Sequence, residues 1–310
     1  MEEAYVPDTG LNFAVRKAVI GAAHLVAPTR LRGVERWMRG REECRKLQQA
    51  DFAVVSYGKS GRTWLNVMMS KVFQLRFGLP EYALFAFDNL HEADPAIPKV
   101  LFTHDNYIRD YNGAGVLKTA FYKKPTLVLL RNPADTAVSL FFHWRYRMLP
   151  HKKALNRYPA HGSDISIFDF VMHDSVLPSI VRFTNEWVRE LPRIENKLVV
   201  RYEDLRTDAK GELARIIRWM GENPTDAEIA AAVEFASFEN LKKLEADKAF
   251  ARGTTKRLVA GENSNPDSFK VRRAKVGGYR DYFDDAQCAA IDSYIRTHLA
   301  PESGYHVLAS

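Results

Sequence analysis

With only Cys44 and Cys288 in 310 residues, far apart along the chain, the sequence has neither a disulfide framework nor a cysteine metal cluster. A reducing, cytoplasmic setting is the expectation that follows. It also lacks any uncharged apolar run near the roughly 20 residues that span a bilayer. The opening Met1-Glu2-Glu3 puts no basic region before an apolar core, so secretion is not expected. Internal repeats and low-complexity tracts are missing too. No zinc-finger spacing, stacking motif or basic helical array accompanies the net charge of +7, so nucleic acid is not an expected partner. What is present is 46% hydrophobic and 27% charged, ordinary for a soluble protein and enough for one large α/β domain or two small ones. The positive balance favours anionic ligands.

Four apolar runs read as core strands, at residues 52–57, 100–103, 126–130 and 197–202. Helical spacing follows the first, third and fourth, over 63–77, 134–147 and 209–220. Alternating strands and helices predict an α/β fold with a central, mostly parallel sheet flanked by helices. Ligands in such folds collect at the carboxyl ends of the strands. Asn223-Pro224-Thr225 marks a turn, with Thr225 as N-cap and Glu228 closing a capping box. Two polar stretches without periodicity, 148–166 and 252–270, read as lids, binding loops or disorder.

At the first strand end stands Tyr57-Gly58-Lys59-Ser60-Gly61-Arg62-Thr63-Trp64. The loop opens a helix, whose first N–H groups and partial positive charge suit a phosphate or sulfate. Lys59 adds a full charge, and Ser60 and Thr63 add hydroxyl donors. A nucleotide-triphosphate loop would need glycine five residues before Gly58, and position 53 is alanine. The third strand ends in Arg131-Asn132-Pro133, with Pro133 at a favoured helix start and Ser139 two turns on. The fork of Arg131 suits a phosphate monoester. A second basic cluster, Arg272-Arg273-Ala274-Lys275-Val276-Gly277-Gly278-Tyr279-Arg280, fits either a solvated face or a loop folding over a ligand. His104 closes the second strand, where a neutral imidazole could serve as a base.

Together these segments resemble the sulfotransferase superfamily, most closely its cytosolic type, whose donor is 3′-phosphoadenosine 5′-phosphosulfate (PAPS). Residues 57–64 are similar to the family's P-loop-like 5′-phosphosulfate loop, Tyr-Pro-Lys-Ser-Gly-Thr-Thr-Trp, and 131–139 to its 3′-phosphate motif. Residues 272–280 are similar to its C-terminal Arg-Lys-Gly-x-x-Gly-Asp-Trp-Lys motif. The stretches 201–205 and Ser237-Phe238 resemble its Tyr-Glu-Asp strand end and Ser-Phe pair. The likeness runs in order over about residues 50 to 300.

The resemblance implies sulfuryl transfer to an acceptor hydroxyl, with His104 as base, Lys59 steadying the leaving phosphate, and no metal. Ser60, Gly61, Arg62 and Thr63 would bind the 5′-phosphate. Arg131, Ser139, Arg272, Arg273 and Ala274 would hold the 3′-phosphate, and Trp64, Tyr202 and Phe238 would pack around adenine. Departures are Gly58 for proline, Arg62 for threonine, Phe102 for the lysine two residues before the histidine, and Gly278 for aspartate. The family's dimer motif would fall on Arg280, Asp284, Asp285 and Ala289, and is absent, which leaves the oligomeric state open.

Phe85, Phe87, Tyr107, Phe142 and Trp144 suggest either an aromatic acceptor pocket or, for several of them, ordinary core, with His143 as packing or lining; the acceptor would be a small alcohol or phenol, a glycan or a lipid. Residues 1–49 read as a basic amphipathic helical extension to a domain at 50–310, with nine Lys/Arg against three Asp/Glu between 11 and 49. It would either dock through its apolar face or touch an anionic membrane weakly from the cytoplasm. Two other classes stay open: a nucleotide-dependent small-molecule kinase, which would need Mg²⁺ and a carboxylate near Lys59, and a non-catalytic adenosine-bisphosphate binder.

Overall fold

A computed structural model describes residues 31–113, 115–252, 258 and 264–305. Helix α1 (Leu31–Gln49) leads into strand β1 (Phe52–Ser56), helix α2 (Arg62–Phe77), strand β2 (Val100–Thr103) and helix α3 (Asn106–Asn112). Strand β3 (Thr126–Leu130), helices α4 (Pro133–Tyr146) and α5 (Leu177–Glu190) and strand β4 (Lys197–Arg201) follow. Helices α6 (Ala209–Trp219), α7 (Asp226–Phe235), α8 (Phe238–Ala246) and α9 (Asp285–His298) complete the longer elements.

The strands form one parallel sheet in the order β2-β1-β3-β4. Alternation along each strand splits the core in two. Ala53, Val55, Val128 and Leu130 face one cluster, built with α4, α5 and α9, while Val54, Leu127 and Leu129 face the other, built with α2, α6 and α7. Burial on both faces explains why these strands read as unbroken apolar runs. From β1 the chain steps outward to β2 and then back across β1 to β3, so the crevice above β1 and β3 is the topological switch point. The expected strands end one residue late at positions 57 and 202. Tyr57 already turns into the loop, and Tyr202 starts a helix, Tyr202–Thr207.

The capping box of Thr225 and Glu228 forms as expected. The polar stretch 148–166 holds a short helix, Pro150–Leu155. Much of the stretch 252–270, and the apolar spacing over 11–26, lie outside the described residues. Helix α1 docks on α3, and glycine allows that approach: a Cβ on Gly40 would stand 2.1 Å from the Tyr107 carbonyl oxygen. Leu47 and Ala50 continue into the core. Among the described residues no helix is long and apolar enough to cross a membrane. Cys44 and Cys288 are both buried free thiols.

Candidate active site

The loop after β1 is shaped by two left-handed residues, Lys59 at φ 75° and Gly61 at φ 92°. Position 61 must be glycine for a second reason: a Cβ there would lie 2.5 Å from Cδ2 of Tyr202. The first intrahelical bond runs from Leu65 N to Gly61 O at 3.1 Å, leaving the first-turn N–H groups outside the helix ladder. The amide of Ser60 instead donates to Tyr57 O at a long 3.4 Å, and its side chain is buried.

Two groups fasten this loop from neighbouring strands. Arg131, at the end of β3, donates from Nη1 to Lys59 O at 2.9 Å and lays its guanidinium 4.3 Å from the ring centroid of Tyr202. His104, at the end of β2, donates from Nδ1 to Ser56 O at 2.7 Å. A carbonyl only accepts, so the ring proton is on Nδ1 and the lone pair on Nε2. Nε2 lies 2.9 Å from Nη2 of Arg62, the first residue of α2.

Beneath His104 the chain turns through Asp105 at φ 57°. Asp105 Oδ2 lies 2.9 Å from Lys118 Nζ, which also reaches Glu186 Oε2 at 3.0 Å, and all three are buried. Burial pushes the Asp105 carboxyl up and Lys118 pulls it back. A buried network of this kind holds geometry more surely than it adds stability.

The C-terminal basic segment is suspended between two carboxylates. Buried Glu245, on α8, accepts from Lys270 N at 2.6 Å and Val271 N at 2.9 Å, and pairs with Arg147 at 2.8 Å. Asp135, in the first turn of α4, accepts from Gly277 N at 2.8 Å and Tyr279 N at 2.9 Å. Between those anchors Ala274 takes φ 51°, and Arg272 stacks 3.7 Å from the ring centroid of Phe142. Arg273 pairs with Asp281 at 2.7 Å. Ser139 shares the cavity with them from α4.

An aromatic slot stands across the loop. Trp64 donates to Ala236 O at 2.9 Å and meets Tyr202 edge-on at 5.8 Å, and Phe238 begins α8 beside Ala236. Loop, basic segment and slot open into one cavity of about 1710 Å³. Its lining includes Lys59, Gly61, Arg62, Thr63, Trp64, His104, Arg131, Ser139, Tyr202, Phe238, Arg272, Arg273 and Ala274, every candidate except Ser60.

Four of the five aromatic residues expected at an acceptor pocket do not line the cavity. Phe85, Phe87 and Trp144 are core residues at 0%, 6% and 1% exposure, and Phe142 lies under Arg272. Aromatic content alone does not separate core from pocket. Tyr107, which was expected there, does line the cavity, together with Tyr57, Arg109, Tyr158, Arg182, Glu186 and His143. Sequence reading passed over Glu43 of α1, which also lines the cavity and accepts from Thr103 Oγ1 at 2.7 Å. Burial pushes its carboxyl up to about 7 despite that bond and the nearby Arg62. Asp135 was missed as well, although a carboxylate in the first turn after Pro133 is a visible signal.

The sulfotransferase domain family matches residues 49–302 of this chain. Sulfotransferase 2A2 of Mus musculus is 23% identical over 269 residues, spanning 82% of this chain and 86% of that one. Flavonol 4′-sulfotransferase of Flaveria chlorifolia is 25% identical over 277 residues, spanning 82% and 81%. Among solved structures, mouse sulfotransferase SULT7A1 complexed with PAP (3′-phosphoadenosine 5′-phosphate) shares the fold with a TM-score of 0.58 at 21% identity, over 87% of this chain and 94% of that one. Retinol dehydratase in complex with androsterone and the inactive cofactor PAP gives a TM-score of 0.53 at 18% identity, over 80% of each chain. The chain belongs to the sulfotransferase family and is a PAPS-dependent enzyme.

Proposed function

We propose that this enzyme passes the sulfuryl group of PAPS to an acceptor hydroxyl by in-line displacement, with His104 as general base and Lys59 as counter-charge to the departing phosphate. The observation that supports this most is the double fastening of one loop. His104 bonds the carbonyl just before it, and Arg131 bonds the carbonyl of Lys59 within it. Acceptor base and phosphate clamp are thereby fixed relative to the same turn.

The proposed roles follow the walls of the cavity. Gly61, Arg62 and Thr63 present the α2 N-terminus to the 5′-phosphosulfate, with buried Ser60 shaping the turn. Arg131, Ser139, Arg272, Arg273 and the Ala274 backbone take the 3′-phosphate, and Trp64, Tyr202 and Phe238 take adenine. As the acceptor oxygen bonds to sulfur, its proton passes to His104 Nε2. The S–O bond to the 5′-phosphate breaks, and Lys59 meets the charge left there. Arginine and lysine neutralise the donor, so activity should survive EDTA.

The charged acceptor end favours a small polar hydroxyl compound over the ring compounds bound by retinol dehydratase. Glycan and lipid-linked hydroxyls are the other acceptors to assay. Residues 1–49 are read as an accessory to the domain at 50–310. The docking of α1 on α3 supports that accessory role, and any membrane contact of residues 1–49 is expected to be weak and salt-sensitive.

Calorimetry with PAP and with ATP, followed by transfer assays on phenols, sugars and lipids with and without EDTA, tests the reading. Tight PAP binding, poor ATP binding and metal-independent transfer are expected. ATP bound as well as PAP, with strict Mg²⁺ dependence, would favour a kinase instead. PAP bound without any transfer would favour a binding protein.

A further inference from the structure

The base of the proposed reaction is covered. His104 Nε2, the nitrogen that must take the acceptor's proton, lies 2.9 Å from Nη2 of Arg62. Guanidinium only donates, so this contact occupies the lone pair needed for catalysis. Once Nε2 is protonated, two cations face each other at hydrogen-bond distance, and Arg62 has to move.

Glu43 offers it a destination. The residue comes from α1, ahead of the family's matched span at 49–302, and its carboxylate enters the same cavity as Arg62. Thr103, the residue before His104, holds it in place. The Thr103 hydroxyl accepts from Asp105 N at 2.9 Å, so its single proton goes to Glu43 Oε2 at 2.7 Å. The resemblance calls for lysine two residues before the histidine. Here that position is Phe102, 7% exposed and packed against Phe85. Arg62 stands where the family has threonine, so the cation beside the reacting oxygen arrives from the helix start instead of the strand.

We propose that Arg62 is a movable cation shared between His104 and Glu43, which leaves Nε2 for the Glu43 carboxylate as the acceptor engages and thereby uncovers the base. Glu43 is then a positioning residue acting through Arg62. Proton balance is simple: the acceptor's proton ends on Nε2, Nδ1 keeps its bond to Ser56 O, and Glu43 remains ionised opposite Arg62. The proposal rests on the reading of His104 as base.

A protonated Glu43 attracts Arg62 far less, so the uncovering is pH-dependent. The groups facing Glu43 are Thr103 and Asp105 from the β2 end, Arg62 from α2, Tyr107 from α3 and Lys46 from its own helix. With its carboxyl titrating at about 7, both states are populated near neutrality.

The test follows the uptake of a proton at His104 in the full-length, histidine-¹⁵N-labelled protein without ligand, the resonance being assigned by its loss in His104→Asn. Arg62→Thr should move the titration midpoint to higher pH, by about one pH unit or more, because a neighbouring cation disfavours imidazolium. Glu43→Gln, which keeps an acceptor for Thr103, should move it to lower pH by strengthening the cap. In the Arg62→Thr background, Glu43→Gln should have almost no effect, since its influence travels through Arg62. An unmoved midpoint in Arg62→Thr, or a Glu43→Gln shift undiminished in that background, overturns the proposal. Circular dichroism and Glu43→Asp separate misfolding from loss of the carboxylate's reach. Because the readout is a proton and not turnover, this result stands apart from failure of His104 as base.

Discussion

Arg131 and Lys59 are tied through a backbone atom: Nη1 of Arg131 donates to the Lys59 carbonyl at 2.9 Å, leaving the lysine side chain to the cavity. The proposed 3′-phosphate clamp and the proposed sulfate-side lysine are thus one mechanical unit, steadied by Tyr202 beneath the guanidinium. On the proposed reading, Arg131→Ala removes a phosphate ligand as well as a brace on the loop. A hydrogen bond to a charged group contributes roughly 1.5–3 kcal/mol, so PAP affinity should fall about ten- to a hundredfold by calorimetry. An unchanged affinity would place the 3′-phosphate elsewhere.

Gly61→Ala should be more damaging than its size suggests. The residue sits at φ 92°, and a Cβ would lie 2.5 Å from Cδ2 of Tyr202, a ring that also supports Arg131. Left-handed strain alone costs roughly 1–2 kcal/mol. A lower melting temperature together with lost PAP binding is expected in thermal-shift measurements with and without PAP.

Asp135 tests the suspension of the basic segment. Its two bonds to Gly277 and Tyr279 N–H groups set where Arg272 and Arg273 stand. Asp135→Ala should weaken PAP binding, and faster amide exchange at Gly277 and Tyr279 should accompany the loss. Protection unchanged at both amides would show that the segment is held without Asp135, by Glu245 and by the bonds of Tyr279 and Arg280 to Asp292.

The pH dependence of stability carries a signature of Glu43. Its carboxyl is raised to about 7 by burial, so the sign is that of a group destabilised by ionisation. Its contribution is fully present below the unfolded value of about 4.3 and is lost as pH climbs through about 7. Urea unfolding of Glu43→Gln should show a flatter stability curve across that window than the parent protein.

Much of this site could be read in the chain because its parts are local. Strand β3, buried on both faces, has the bounds its apolar run predicts, and Pro133 and Gly61 mark helix starts through their own backbone preferences. His104 was legible as a strand-end histidine. What escaped depends on distant segments meeting. Glu43 reaches the cavity only because α1 lands on the end of β2, and Asp135 meets Gly277 across 142 residues. Phe85 and Trp144 misled because core and pocket call on the same aromatic residues, and only packing tells them apart.

The most direct test of the central claim is transfer of ³⁵S from labelled PAPS to an acceptor panel, comparing the parent enzyme with His104→Ala while PAP affinity is followed by calorimetry. The account predicts a labelled product from the parent, a loss of about 10²–10⁴-fold in turnover for the variant, and PAP binding nearly unchanged. Near-parental turnover by His104→Ala would contradict it and move the base to another residue of the cavity, with Asp105 the next candidate.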